Sequence, residues 1–497
     1  MLHLPTLSAF RAEIICENAA GDARLRTELC GDTLRVYLTA NESRPMFVRL
    51  FWETENNGDI LVLGDAWERS YGELEFKKLK ENDRPMPWYF IATDQTDSFC
   101  FGVKTRPNAF VCFHYNNNTI CASLDCRNGG CGVELHGREL CLAAFLLKEY
   151  RNTDDFDALC DFCGLMCPDP ILPDAPVFGN NNWYYAYGNS SREEILADAR
   201  MTALLAKGLP AQAYEVIDDC WQINSCAGPW LPNEKFGDMK TLADEIHAMG
   251  LKAGIWVRLL YTKEDLPEGM KILRGGRKYL DPTVGAVREL IRADIRRIRS
   301  WGYDLLKHDF TTFDLFGDWG KDLTDGSTNI PVWHFADRTK TNAEIVTDLY
   351  KLIKEECGDM LIIGCNTVSH LIAGLAQIAR TGDDTSGKDW ERTKKMGVNT
   401  LAFRLAQNKK FYLVDADCVG ILGDHIPWEK NRRWLNLLAK SDSALFVSAP
   451  GNISEEKRAD IAAAFAAVQT PHGLRPVDRY ENRTPEVWEA DGERFFM

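Results

Sequence analysis

Carboxylates recur in this sequence beside fixed positive charges and tryptophans. Asp218 and Asp219 stand just before Trp221, Asp309 lies two residues after Lys307, Asp383 and Asp384 follow Arg380, and Asp415 and Asp417 form a further pair. A carboxylate next to a positive charge is held ionised, because that charge stabilises the anion. An ionised carboxylate can attack an electrophilic carbon, and one that carries a proton can serve as general acid. Other engines lack their residues. Nine His without a His-x-His or HExxH spacing offer no zinc-ligand set, and no GxSxG elbow is present. No metal and no cofactor are therefore expected. Carboxylate pairs remain, and these are what glycoside hydrolysis uses. The 14 Trp suit the same chemistry, because the apolar face of a pyranose ring can lie on an indole.

The carboxylates share a position relative to the elements around them. From Val177 onward the chain alternates apolar strand candidates with amphipathic helical stretches. Eight strands are expected, around Val177–Trp183, Ala213–Ile217, Lys252–Val257, Tyr303–Lys307, Met360–Gly364, Ala376–Ala379, Lys410–Val414 and Ala444–Ser448. Helices are expected from Ser191, Thr241, Val284, Asn342 and Trp428, in a stretch before Gln407, and last from Ser454. Ser191 with Glu194 three places on forms a capping-box pattern, and Gly208 and Gly250 stand where helix C-caps are expected. Eight strand–helix units imply an α/β fold of the (β/α)8 TIM-barrel type. An open doubly wound sheet would carry a Gly-rich dinucleotide turn after its first strand, and none follows here.

Barrel enzymes place their chemistry at the C-terminal ends of the strands, where the βα loops converge. The residues following the strands are Asn181, Asn182 and Trp183; Asp218, Asp219 and Trp221; Trp256 and Arg258; and Lys307, His308 and Asp309. Cys365 and Asn366, then Arg380, Asp383 and Asp384, then Asp415 and Asp417 complete the ring. Acids, amides, cations and indoles on one face are what a polyhydroxylated ligand worked on by carboxylates requires.

Ahead of the barrel, short apolar runs begin at Thr33, Met46, Ile60, Phe99, Phe110 and Leu142, separated by turn signals such as NNGD, KTRPN and CRNGG. Many short strands without helical periodicity imply a β-sandwich. A helix at about Thr153–Leu165 and the Pro-rich linker CPDPILPDAP follow. The expected divisions are 1–170 for sandwich and linker helix, 177–467 for the barrel, and 468–497 for a short C-terminal β segment, the opening of a further β-domain that is either cut short or paired elsewhere.

With 58 basic and 73 acidic residues the net charge is −15, the wrong sign for a nucleic-acid partner or an anionic membrane surface. No apolar stretch has the length of a transmembrane helix, and the N-terminus lacks the unbroken apolar region of a signal peptide. The sixteen Cys lie in core-like runs and are expected to be reduced, which places the chain in the cytoplasm. Cys160, Cys163 and Cys167 lack a fourth nearby ligand and are expected to be structural.

The strings YEVIDDCWQ, LKAGIWVR, DLLKHDF and GLAQIARTGDDTSGKDW resemble the clan D glycoside hydrolases, and the domain order resembles their bacterial melibiase-type α-galactosidases. The likeness covers about Asn180 to Gly420. It implies Asp309 as nucleophile within Lys307-His308-Asp309, and Asp384, four residues after Arg380, as acid/base, with neighbouring Asp383 the alternative. It further implies that Asp218 and Asp219 hold sugar hydroxyls, that Trp183, Trp221 and Trp256 wall the ring, and that Lys307, Cys365 and Arg380 contact substrate; Arg258, from its place at the end of the third strand, is expected at the substrate too. The expected reaction is retaining hydrolysis of terminal α-galactosides in oligosaccharides, with the two carboxyl groups about 5–5.5 Å apart. Galactosyl transfer of the raffinose-synthase type, α-N-acetylgalactosaminide hydrolysis and an inactive carbohydrate-binding protein are the alternatives. The acid/base is expected to be less solvated than Asp309, and a homo-oligomer is expected. Cys220 departs from the pattern, which has Gly after the aspartate pair.

Overall fold

The computed structural model describes residues 2–55, 60–78, 84–116, 118–274 and 276–497; the NNGD turn lies outside the described residues. The N-terminal region forms two antiparallel sheets. One orders Arg11–Cys16, Pro45–Glu53, Thr119–Asp125, Phe110–Asn116 and Met86–Pro87. The other orders Arg24–Cys30, Thr33–Thr39, Leu140–Arg151, Asp97–Val103, Tyr89–Thr93, Leu61–Gly64 and Lys77–Lys78. Alternate residues of each strand turn inward, so aromatic rings from the two sheets meet. Trp52 meets Phe101 edge-on at 5.0 Å and Phe101 meets Phe113 at 5.1 Å.

The linker helix runs Asp155–Met166, capped by Asp154, whose carboxylate accepts from the Phe156 amide at 2.8 Å. Cys163 and Cys167 are buried around it as small apolar groups, and all sixteen Cys are free thiols.

All eight expected barrel strands are present: Phe178–Asn181, Tyr214–Ile217, Lys252–Val257, Leu305–His308, Leu361–Gly364, Ile378–Arg380, Leu413–Asp415 and Leu445–Ser448. They lie parallel, in chain order from first to seventh, with the eighth beside the first. A ninth strand of two residues, Val419–Gly420, pairs with the eighth, and an Asp415–Ala444 bridge joins the seventh strand to the start of the eighth. The helix after the first strand, Arg192–Leu205, is capped by Ser191. Only half of the expected capping box forms there, whereas Thr341 and Glu344 make both bonds of one at the helix Asn342–Cys357. Gly208 and Gly250 take left-handed φ just past their helices, as the C-cap position demands.

The sandwich is bolted to the face of the barrel at the C-terminal ends of its strands. Ser70 bridges Gly382 in parallel, its amide donating to Thr381 O at 2.8 Å while the Asp383 amide donates to Ser70 O at 2.7 Å. The Arg404 guanidinium donates to Asp65 Oδ1 at 2.7 Å and to the carbonyls of Ala66, Glu68 and Thr381. The long segment after the fourth strand is pinned too: Trp67 donates to Thr324 O at 3.0 Å and the Gly320 amide to Glu68 Oε2 at 2.6 Å. Removing one partner of a buried ion pair leaves the other uncompensated. Arg404→Met should therefore destabilise the fold by about 3–5 kcal/mol, read as a lower urea midpoint at unchanged slope.

The C-terminal segment forms three antiparallel strands, Arg475–Pro476, Val487–Ala490 and Glu493–Phe496. It buries Trp488 and is tied to the linker helix by Arg479–Asp154 at 2.7 Å.

Candidate active site

The C-terminal ends of the first six barrel strands surround a cavity of about 300 Å³. Its walls combine Trp183, Tyr184, Asp218, Asp219, Cys226, Trp256, Lys307, Asp309 and Phe310 with Trp319, Cys365, Asn366, Arg380, Asp383, Asp384 and Arg392. One further residue, Arg69, reaches in from the sandwich.

The two-residue period of a strand explains the Lys-x-Asp spacing. Lys307 and Asp309 face the cavity, while His308 turns outward to Thr311 and Tyr350, where burial pushes its pKa down to about 4 and leaves it neutral. Asp309 is held by three donors. Trp256 Nε1 donates to Oδ2 at 2.9 Å, the Phe310 amide to Oδ1 at 2.7 Å, and Asn366 Nδ2 also to Oδ1. Phe310 and Asn366 both adopt left-handed φ, at 65° and 47°. Such backbone costs on the order of 1–3 kcal/mol per non-glycine residue and persists where the surroundings impose it. Here it aims donors at one carboxylate.

Lys307 Nζ donates to Asp218 Oδ2 at 2.7 Å, and Asn181 Nδ2 donates to the same oxygen at 2.8 Å. Burial works against the lysine charge, but the acidic groups around it, Asp218 foremost with Cys365 and Asp309, together outweigh it and raise the Lys307 pKa well above its usual value. Asp219 accepts from Gln222 Nε2 at 2.6 Å, from the Cys226 amide at 2.9 Å and from Cys226 Sγ at 2.8 Å. Cys220 stands at φ 79°, the left-handed conformation a glycine takes freely, and its amide donates to Asp219 Oδ1 at 2.8 Å.

Asp383 and Asp384 differ sharply. Asp383 has both oxygens in ion pairs, Oδ1 with Arg69 at 2.9 Å and Oδ2 with Arg392 at 2.8 Å. Asp384 presents only Oδ1, to Arg69 at 3.1 Å and Arg380 at 3.0 Å, and among the described residues Oδ2 accepts no hydrogen bond. The expectation that Asp384 is less solvated than Asp309 is corrected. Its side chain is 42% exposed at the cavity mouth, whereas Asp309 is 8% exposed at the floor. Partial burial pushes the Asp384 pKa up, but Arg69 and Arg380, with Lys307 and Arg392, outweigh it and hold the free carboxylate below its ordinary range.

Not every expected residue reaches the cavity. Trp221 is fully buried behind Trp256, donating to its carbonyl at 2.8 Å. Arg258 grips Asp314 with two bonds, at 2.8 and 2.6 Å, and packs over Phe310. Both support a wall rather than form one. Asp417 is buried and anchors Arg380 at 2.6 Å and the Thr385 amide at 2.7 Å; Asp415 in turn accepts from the Asp417 amide at 2.9 Å. Arg69, Tyr184, Phe310, Trp319, Cys226 and Arg392 join the cavity without having been singled out from sequence.

Folding gathers one potential three-ligand metal set among the described residues: Cys112, His114 and Asp325, with ligand atoms within 4.8 Å, away from the barrel cavity. These groups already satisfy each other. His114 pairs with Asp325 at 2.9 Å, and the Cys112 thiol donates to the Asp325 carbonyl at 3.7 Å.

No family model matches the sequence. Over 140 residues the chain is 30% identical to an α-galactosidase of Oryza sativa, covering 27% of this chain and 29% of that protein. Over 144 residues it is 30% identical to α-galactosidase A of Cellvibrio japonicus, covering 28% of this chain and 31% of that protein. The chain thus matches under a third of the length of these curated relatives. Likeness to solved structures extends much further. An α-galactosidase from Thermus thermophilus, solved with p-nitrophenyl α-D-galactopyranoside, superposes over 97% of this chain and 99% of its own, with TM-score 0.65 and 18% identity. The GH36 α-galactosidase of Geobacillus stearothermophilus superposes over 97% of this chain and 76% of its own, with TM-score 0.62 and 13% identity. Sandwich, parallel barrel and C-terminal sheet together give this chain the fold of the GH36 α-galactosidases, within the clan that its barrel motifs resemble.

Proposed function

We propose that this protein hydrolyses terminal α-linked galactosides by double displacement with retention, with 177–467 as the catalytic unit and 1–170 and 468–497 as its flanking β-domains. One observation carries the reading: two carboxylates in a single cavity occupy opposite environments, Asp309 fixed by three donors at the floor and Asp384 with a free oxygen at the mouth. An Asp309 oxygen attacks the anomeric carbon and forms an ester. The glycosidic C–O bond breaks with its electron pair passing to the leaving oxygen, which takes the proton from Asp384. Filling the mouth removes water from Asp384, and desolvation raises its proton affinity for that step. Water then attacks the anomeric carbon, gives its proton to Asp384 and frees the Asp309 carboxylate.

In this reading Asp218 and Asp219 hold ring hydroxyls, with Trp183 and Trp256 as apolar walls of the cavity they share. Carboxylates held this tightly cannot swing to follow a misplaced hydroxyl, so a sugar of the wrong geometry forfeits their hydrogen bonds. The relatives named α-galactosidases, and the Thermus structure that holds an aryl α-galactoside, support galactose as the sugar.

The test is release of nitrophenol from aryl α-galactoside, α-N-acetylgalactosaminide and α-glucoside by wild type and Asp309→Ala. Turnover of the galactoside alone, lost in the variant, is expected. Preference for the N-acetylated sugar would overturn the substrate assignment, and transfer to added sugar acceptors in excess of hydrolysis would overturn the hydrolase assignment.

A further inference from the structure

Among the described residues, the cavity's one contribution from outside the barrel sits at its most consequential point. Arg69 is 6% exposed, and its guanidinium carbon lies 5.3 Å from the ring centres of both Tyr71 and Trp319. A guanidinium normally spends its fork on the two oxygens of one carboxylate. This one is divided, Nη2 on Asp383 at 2.9 Å and Nη1 on Asp384 at 3.1 Å. The backbone that delivers it is fixed by the Ser70–Gly382 bridge and by Arg404. Glu68 accepts from the Gly320 amide and so anchors the turn that carries Trp319.

We infer that Arg69 is a positioning residue for the acid/base: by splitting its fork it locks Asp383 as an inert spacer, anchors Asp384 through Oδ1 alone, and keeps Oδ2 free to carry the transferred proton. The inference rests on the reading of Asp384 as acid/base. It gives the sandwich a part in the chemistry, because the residue that tunes the barrel's proton donor belongs to the sandwich. The other charged or titratable groups facing Asp384 are Arg380, Asp383, Arg392, Lys307 and Tyr184. All are barrel residues that an Arg69 substitution leaves in place. With Arg69 removed, Asp383 keeps Arg392 and Asp384 keeps Arg380, so neither carboxylate is stranded.

The experiment compares full-length wild type, Arg69→Gln and Arg69→Lys. The first readout is the pH profile of kcat/KM on dinitrophenyl and methyl α-galactosides. In Arg69→Gln the basic limb, which reports loss of the catalytic proton, is expected to move to higher pH. Turnover of the methyl galactoside should fall about tenfold or more, because the acid that must protonate its leaving group is no longer anchored in place, while the dinitrophenyl galactoside changes less than about twofold. Arg69→Lys keeps the charge and is expected to keep the limb near its wild-type position. Equal losses on both substrates with an unmoved limb would reduce Arg69 to a structural strut and overturn the inference. The second readout needs no turnover: the carboxyl 13C titration of Asp384, assigned through Asp384→Asn, should shift to higher pH in Arg69→Gln. An unmoved titration overturns the inference. A wild type inactive on both galactosides fails the hydrolase reading instead, and with it the role of Arg69 in catalysis.

Discussion

Asp309→Asn should lower kcat on an aryl α-galactoside by about 10⁴-fold or more while leaving galactoside binding measurable by calorimetry. The variant loses the proposed nucleophile, and an amide oxygen is a poor substitute for a carboxylate at an anomeric carbon. Its local structure suffers as well. Oδ1 receives two donors and Oδ2 one, from Asn366, the Phe310 amide and Trp256. An asparagine oxygen can satisfy one side only, so its NH₂ must face another donor, a mismatch costing about 1–3 kcal/mol. A modest fall in thermal midpoint is therefore expected beside the loss of rate. Full activity in this variant would remove Asp309 from the chemistry.

The second large effect belongs to Asp384→Ala. Removing a general acid should cost about 10²–10⁴-fold on substrates with alkyl or sugar leaving groups. A dinitrophenyl galactoside, whose leaving group departs without a proton, should still form the ester. Its hydrolysis then lacks a base, so a burst of dinitrophenol followed by slow turnover is expected. Azide, a nucleophile that needs no deprotonation, should restore the second step and yield the α-galactosyl azide. The fold should tolerate the change, because Arg380 keeps Asp417 and Arg69 keeps Asp383. Equal rate loss for all leaving groups, with no azide product, would assign Asp384 a structural role and return Asp383 to consideration.

The barrel was legible because its strands, buried on both faces, are near-continuous apolar runs. Lys252–Val257 has the same bounds in sequence and structure, and each of the other seven strands falls within a few residues of its expected place. The strands of the sandwich were less legible. Arg11–Cys16 and Arg24–Cys30 lie at sheet edges with largely exposed faces, so their charged residues mask the pattern on which strand recognition depends.

At the site, a residue's place after a strand identified its loop but not the direction of its side chain. Trp183 and Trp256 line the cavity while Trp221 and Arg258 stand behind it. The solvation of Asp384 was misjudged for a related reason: its surroundings are set by Arg69, 315 residues earlier, as well as by Arg380. No local signal marks Arg69 in its own loop, because its partners come together only when sandwich and barrel dock. Trp319, inside the long segment after the fourth strand, was hidden in the same way.

The most direct test of Asp309 as nucleophile is to trap the ester. The protein is mixed with a 5-fluoro-α-galactosyl fluoride, whose ring fluorine slows release of the sugar, then digested and examined by mass spectrometry. One fluorogalactosyl unit on the peptide containing Asp309, absent from Asp309→Asn, is the predicted result. An adduct on another residue, or steady release of inverted sugar with no adduct, would contradict double displacement at Asp309.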